Sequence, residues 1–207
     1  MFCSCQAKLA LDWPRIILQA RCIITKSRVE VDIVRELPLK SFRWPSASEA
    51  ADDAALAGNH HYADLRGLTR QDYQIVRGVE QVLLGRIQNG VPEEKLLEEL
   101  EDEADHGEEH PLHWLDIGIA SPVVALSAIG CVPAYSCNGG VLGGHHRGEH
   151  PIIAFFAKPK LRTLLLDAAA IASIGLRPWT DGVILAYAAE LEPLQRFGEA
   201  LMERASD

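Results

Sequence analysis

The chain has 207 residues and a formal net charge of −9, a length that fits one domain or one domain with an appendage. No apolar run reaches the roughly 18 to 20 residues that cross a bilayer, so we expect no membrane partner. The N-terminal residues Met1–Cys5 lack the basic-then-apolar order of a signal peptide. The five cysteines have no regular spacing, which excludes a disulfide framework as the organising feature. We therefore expect a cytoplasmic protein with reduced thiols.

The negative charge has a local origin. Residues 93–109 hold ten acids and one base, so the charge of this segment, −9, equals the net charge of the whole chain. The other residues hold 19 acids and 19 bases and are neutral together. Pro92 at a first helical position, followed by Glu93 and Glu94, predicts a helix start. The acidic side of this helix, residues 93–105, is either a solvated surface or a docking face for a basic protein partner.

In the N-terminal part, the pattern predicts a β-hairpin over residues 15–35. Arg15–Ile24 is rich in Ile and Leu, and Val29–Val34 alternates apolar and acidic residues as a strand with one wet face does. Further on, Thr69 with Asp72 three residues later predicts the start of a helix with a capping box. A second helix at 93–105 completes a helical middle segment.

A histidine group follows this segment. His106, His110 and His113 lie within eight residues, beside two glutamates. Gly107 and Pro111 interrupt helical spacing, so the group does not have the two-histidine helical geometry of a zinc protease. A metal site and a polar linker are the two interpretations.

The C-terminal half predicts alternating helices and strands. We expect a buried helix from an N-cap at Ser121 to Gly130, strands at 131–136, 152–157 and 182–188, a helix at 160–174 stopped by Gly175, and a terminal helix at 192–205. This order predicts an α/β fold, with a small mixed sheet flanked by helices. The helix between the second and third strands allows a right-handed parallel crossover. The division is 1–110 and 111–207, or one continuous domain.

The densest group of functional residue types is the glycine-rich loop Tyr135–His150, which has five glycines, one cysteine and three histidines. It follows a predicted strand, and ligands of α/β sheets bind beyond the carboxyl ends of strands. Successive amides without Cβ atoms can form an anion-binding nest. We therefore expect a small anionic ligand held by Ser136, Asn138, Gly139 and Gly140, with His145, His146 and Arg147 meeting its charge.

Two other chemistries fit the same loop. Cys137 can act as a covalent nucleophile if its pKa is depressed and His145 or His146 serves as base, and Asp116 is a candidate acid or base if the fold brings it near. Alternatively, a divalent metal can bind to His145, His146 and His150, with Cys137 as a further ligand. Cys131 lies six residues from Cys137 along one predicted strand, roughly 20 Å away, so the two cannot share an ion.

One resemblance rests on a combination of segments. Asp116-Ile117-Gly118-Ile119-Ala120, the apolar helix that follows, and Tyr135-Ser136-Cys137-Asn138-Gly139 before a strand resemble the Ser-Cys-x-Gly signature of the wybutosine-synthesis methyltransferase family over residues 116–158. The resemblance implies that Ser136, Cys137 and Gly139 line the ligand loop, that S-adenosylmethionine is the cofactor and that RNA is the substrate. The family has an arginine after the glycine, where this chain has Gly140.

The sequence thus leaves three functions open. The first is a nucleotide- or S-adenosylmethionine-dependent RNA-modifying enzyme that acts through the 136–150 loop. The second is a non-catalytic interaction or inhibitor protein that uses the acidic helix 93–105. The third is a metal-dependent hydrolase.

Overall fold

The computed structural model describes residues 31–46, 48–49, 56, 64–106, 109–143, 148–180 and 182–205. Within these ranges the chain has a mixed α/β fold with five α-helices and one four-stranded sheet, as the sequence predicts. Most of the predicted hairpin, residues 15–30, lies outside the described residues. In the described ranges, no helix is both long enough and apolar enough to cross a membrane.

The elements follow in chain order. The helices are α1 (Arg70–Gln88), α2 (Glu93–Asp105), α3 (Ala120–Ala128), α4 (Arg162–Ala172) and α5 (Leu191–Arg204). The strands are β1 (Val132–Cys137), β2 (Ile152–Phe156), β3 (Gly175–Pro178) and β4 (Ile184–Tyr187). The spatial order is β1-β2-β4-β3, and each neighbouring pair is antiparallel. A parallel bridge between Arg35 and Leu176 adds the segment before residue 37 to the β3 edge.

The first helix begins as its sequence predicts. The Thr69 side chain accepts the Asp72 amide, and the Asp72 carboxylate accepts the Thr69 amide at 2.6 Å, which closes the capping box. The buried stripe of α1 includes Tyr73, Val76 and Leu83. Local capping and helical periodicity therefore suffice to position this helix.

The predicted parallel crossover to the strand at 182–188 is wrong. α4 ends at Ala172, and Ser173 takes a left-handed conformation with φ 61°. Gly175, which the sequence indicates only as a stop, instead begins β3. β4 lies between β2 and β3 and pairs antiparallel with both. The strand that runs in the same direction as β2 is therefore β3, which the sequence did not predict.

The helices cover one face of the sheet. α3 is buried, and α1 and α5 both pack against it. The main hydrophobic core joins these helices to Ile153 and Phe155 of β2. It includes residues on both sides of position 110, where the sequence suggested a division of the chain. A smaller cluster covers the opposite face, where Tyr187 and Phe156 meet Val31, Ile33 and Leu56.

The start of α3 differs from the prediction. Ser121 is not the N-cap but the second residue of the helix. Its amide and that of Ala120 donate to the Glu80 carboxylate of α1, at 3.3 and 2.8 Å, and its hydroxyl also donates to Glu80. Glu80 is only 1% exposed, so a distant carboxylate replaces the local cap and meets the positive end of the helix dipole.

Candidate functional site

The turn after β1 is anchored by a buried side chain. Asn138 is 0% exposed, and its Nδ2 donates to Glu93 Oε1 at 2.6 Å and to the Ile117 carbonyl at 3.3 Å. Glu93 is the first residue of α2 and is itself buried. One amide thus ties the start of α2, the loop before α3 and the end of β1 together.

The amides of residues 138–140, which the sequence assigns to an anion-binding nest, already have acceptors within the chain, and anion binding there stays a prediction. The Asn138 amide donates to Asp116 Oδ2 at 3.0 Å, the Gly139 amide to Cys137 Sγ at 3.3 Å, and the Gly140 amide to Asn138 Oδ1 at 2.9 Å. An anion would have to displace these acceptors, since each donor already has a partner within the chain.

Two glycines have a steric reason that involves no ligand. Gly139 has φ +69°, and a Cβ there would lie 2.7 Å from the carbonyl carbon of His150. A Cβ at Gly148 would lie 3.1 Å from Gly139 Cα and 3.7 Å from Cys137 Sγ. The glycines therefore let two parts of the loop cross at close range.

The environment of Cys137 opposes its predicted role as a nucleophile. Cys137 is 6% exposed, and burial, with a smaller contribution from the Asp116 charge, raises the pKa of its thiol above the ordinary value. A raised pKa keeps the thiol protonated at neutral pH, which is the reverse of activation. His145 and His146, the expected bases, lie outside the described residues, as does Arg147.

The fold brings Asp116 next to the loop, which was the condition for its being a candidate acid or base. Its carboxylate accepts the Asn138 amide, and its charge contributes to the raised pKa of Cys137. The contact fixes the turn, and acid–base chemistry at Asp116 stays a prediction. Ser136 is half-buried and pairs with Ile153 across the sheet, which turns it towards the helix-covered face.

Within the described ranges, no group of three or more His, Cys, Asp or Glu side chains is arranged to hold a metal. Of the three predicted metal ligands, only His150 is described, and its ring lies edge-on to Tyr187 with centroids 5.8 Å apart. Cys131 is buried just before β1 and Cys137 ends it, so the two thiols lie at opposite ends of the strand.

His110 of the second histidine group has a structural task. Its Nδ1 accepts the amides of Leu112 at 3.2 Å and Trp114 at 3.1 Å, and its ring stacks on Trp114 at 4.4 Å. Burial lowers the pKa of His110, which favours the neutral imidazole that can accept these bonds. The polar-linker interpretation therefore fits this histidine better than the metal one.

Among the described residues, an open cleft lies near the loop, on the sheet face away from the helices. It has a volume of about 330 Å³ and is lined by Val31, Asp32, Val34, Glu149, His150, Arg177 and Tyr187. We call it the Tyr187 cleft. The Tyr187 hydroxyl donates to the Asp32 carbonyl at 3.0 Å and accepts the Val34 amide at 3.1 Å, so it fixes the wall of the cleft.

Arg177 and His150 of the cleft both contact the ring of Tyr187. The Arg177 guanidinium lies 5.4 Å from the Tyr187 ring centroid, and no carboxylate of the described residues forms an ion pair with Arg177. Gly175 lies directly under the ring, since a Cβ there would lie 2.1 Å from Tyr187 Cζ. The sequence interpretation missed Gly175 and Arg177. Burial in β3 runs as two buried residues followed by two exposed ones, so no period-two pattern marked this strand in the sequence.

The acidic helix is less uniformly available than its composition indicates. Glu93 is buried, and Glu99 is paired with Arg86 at 2.7 Å. Glu98, Glu101 and Asp102 remain exposed. The docking-face hypothesis thus rests on fewer carboxylates than the ten of the segment.

The chain matches no protein-family model, no curated protein and no solved structure. The resemblance to the wybutosine-synthesis methyltransferase family therefore stays a prediction carried by Ser136, Cys137 and Gly139.

Proposed function

We propose that this protein binds a small ligand with a negatively charged group in the Tyr187 cleft. The observation that carries the proposal is Arg177, an exposed guanidinium at the cleft without a carboxylate partner among the described residues. Planar guanidinium groups bind carboxylates and phosphates through two parallel hydrogen bonds. His150 lines the same cleft and offers a further donor to such a group.

The remaining lining groups favour a ligand that also carries a cation or a hydrogen-bond donor. Asp32 and Glu149 are exposed carboxylates, which would repel a ligand that is negative throughout. Val31, Val34 and the Tyr187 ring supply apolar surface. The proposed ligand is therefore a zwitterion or an anion with a donor-rich part.

Size narrows the ligand class further. Small-molecule pockets generally span about 300 to 1,000 Å³, and the cleft, at about 330 Å³, lies at the lower end. A metabolite of amino-acid or mononucleotide size fits this volume better than a dinucleotide. The amino-acid group of S-adenosylmethionine has the required pair of charges, so that molecule belongs among the probes.

The test is isothermal titration with phosphate, a zwitterionic amino acid, adenosine monophosphate and S-adenosylmethionine. We expect saturable binding of at least one probe, and at least a tenfold loss, equal to 1.4 kcal/mol, in Arg177→Gln. Arg196→Gln is the matched control, because Arg196 is an exposed arginine on α5 that does not line the cleft. Absence of binding by all four probes to the folded protein, or equal binding by both variants, would contradict the proposal.

A second candidate function, binding of single-stranded RNA, is favoured by one surface at the other end of the sheet. Lys158 Nζ lies 4.2 Å from the ring centroid of Trp44. Exposed Trp179 and Lys160 follow β3 and β2, whose last residues lie at the same end of the sheet. Bases stack on exposed aromatic rings while lysines meet phosphates.

This candidate makes a salt-dependent prediction. A fluorescent oligouridine should bind more weakly as salt rises, and more weakly to Trp44→Ala at any salt concentration. Trp114→Ala is the control, since Trp114 is exposed and stacks on His110 rather than facing a lysine. Equal affinity in the two variants, or no binding at low salt, would remove RNA as a partner of this surface.

A further inference from the structure

A second cavity lies between α1 and α5, away from the Tyr187 cleft. It has a volume of about 370 Å³, and its α1 side is formed by residues at helical spacing from Arg70 to Gln81. We call it the α1–α5 groove. Both helices pack against α3, and Tyr73 and Met202 are the buried members of the lining.

Tyr73 is the informative residue of the groove. It is 4% exposed, and its hydroxyl has no hydrogen-bond partner among the described residues. A buried hydroxyl that loses water without gaining a partner destabilises the fold. A phenylalanine would fill the same volume without this cost, so the hydroxyl indicates a partner that the described residues do not supply.

The walls of the groove show what kind of partner fits. Arg77 forms an ion pair with Glu199, and Arg70 donates to the Met202 carbonyl. The two arginines of the walls are thus balanced by Glu199 and Glu203. A charged ligand would therefore gain little electrostatic binding energy there. Gln74 and Gln81 each present a donor and an acceptor, which is what hydroxyl groups require.

Gly78 keeps the groove open. It is exposed in the middle of α1, and no atom lies within 4 Å of a Cβ built on it. Glycine in a helix interior is less favourable than alanine. The position therefore lacks a side chain although the helix itself would accept one, and a larger residue there would project into the groove.

From these observations we propose that the α1–α5 groove binds a neutral, hydroxyl-rich ligand, a monosaccharide or the ribose of a nucleoside, with the Tyr73 hydroxyl bonded to one ligand hydroxyl.

The test is a titration of the full chain with D-ribose, D-glucose and uridine, followed by backbone amide NMR. We expect saturable shifts at residues of α1 and α5 that face the groove for at least one probe. Gly78→Leu should abolish them, and Tyr73→Phe should weaken binding about tenfold, or 1.4 kcal/mol, while preserving the fold.

Gly85→Leu is the matched control, because Gly85 also lies within α1 with open space around its Cβ but does not line the groove. Arg177→Gln should leave these shifts unchanged, which separates this site from the Tyr187 cleft. The proposal is overturned if none of the three probes causes saturable shifts. It is equally overturned if Gly78→Leu and Gly85→Leu bind alike, or if Tyr73→Phe binds as tightly as the unaltered protein.

Discussion

The two ends of the glycine-rich segment have opposite characters. At the inner end, Cys137–Gly140, every amide from 138 to 140 donates to an atom of the chain. At the outer end, Gly148–His150, the side chains of Glu149 and His150 line an open cleft with Arg177. One stretch of sequence thus contains a closed structural turn and one side of a candidate binding site.

The difference shows what the glycines contribute. Two chain segments meet at Gly139 and Gly148, and there is no room for a Cβ at Gly139 and only a tight fit for one at Gly148. The features that can attract a ligand are charged side chains at the outer end and on β3. A search for glycine-rich sequence does not identify these residues. Three substitutions and one labelling experiment test whether the inner end is structural and the outer end free for binding.

The largest effect is expected for Asn138→Asp. The new carboxylate would replace a donor to the buried Glu93, leaving like charges together, and breaking a buried charged contact costs about 3 to 5 kcal/mol. Urea unfolding at neutral pH measures the loss, which should shrink at acid pH as one carboxyl becomes protonated. Asn89→Asp also loses a donor, to the Gly85 carbonyl, but at the exposed end of α1, so it should cost no more than about 1 kcal/mol. Similar losses in both variants would mean that the inner turn does not depend on its buried amide.

Gly139→Ala ranks second. A left-handed non-glycine residue costs about 1 to 3 kcal/mol, and the clash with the His150 carbonyl carbon adds about 1 to 3 kcal/mol. Gly143→Ala is the control, because Gly143 has φ +103° but open space around its Cβ. Thermal unfolding should give the lower midpoint for Gly139→Ala, because both variants carry positive-φ strain but only this one adds the clash. Equal midpoints would show that the two parts of the loop do not meet.

Cys137 tests the inner end chemically. Burial raises the pKa of its thiol, so the thiol stays protonated at neutral pH and reacts slowly. Its contribution to stability is complete below the ordinary pKa and is lost as pH rises through the raised value. Mass spectrometry should find iodoacetamide labelling of Cys137 slower in the native protein than in urea. Faster native labelling would restore the nucleophile hypothesis.

The smallest effect on stability is expected for Arg177→Gln. Its side chain is exposed and pairs with no described carboxylate, and such surface changes generally stay within about 0.5 kcal/mol. Urea unfolding of the variant measures the change, with Arg196→Gln alongside as the reference. A much larger loss would make the outer end structural as well and would erase the contrast between the two ends.

The elements that the sequence predicts well are those with local signals. The Thr69–Asp72 capping box and the buried stripe of α1 are both present. β3 escaped prediction because Gly175-Leu176-Arg177-Pro178 is only four residues long and starts and ends with residues that are rare in strands. Glu80 lies on the buried stripe of α1, so the sequence pattern could have shown that it is buried. Its partners could not be predicted, because they lie 40 residues away along the chain.

By itself, the sequence determined the α/β class, the limits of most helices and the position of the glycine-rich loop, since propensity, capping and periodicity act over a few residues. The tertiary structure decided that the sheet is antiparallel through β3, that Asp116, Cys137 and Asn138 occupy the amides of the loop, and that Arg177 joins His150 at one cleft. Periodicity reports which residues are buried or exposed but not which residues they meet, so contacts between distant segments emerge only from the folded chain.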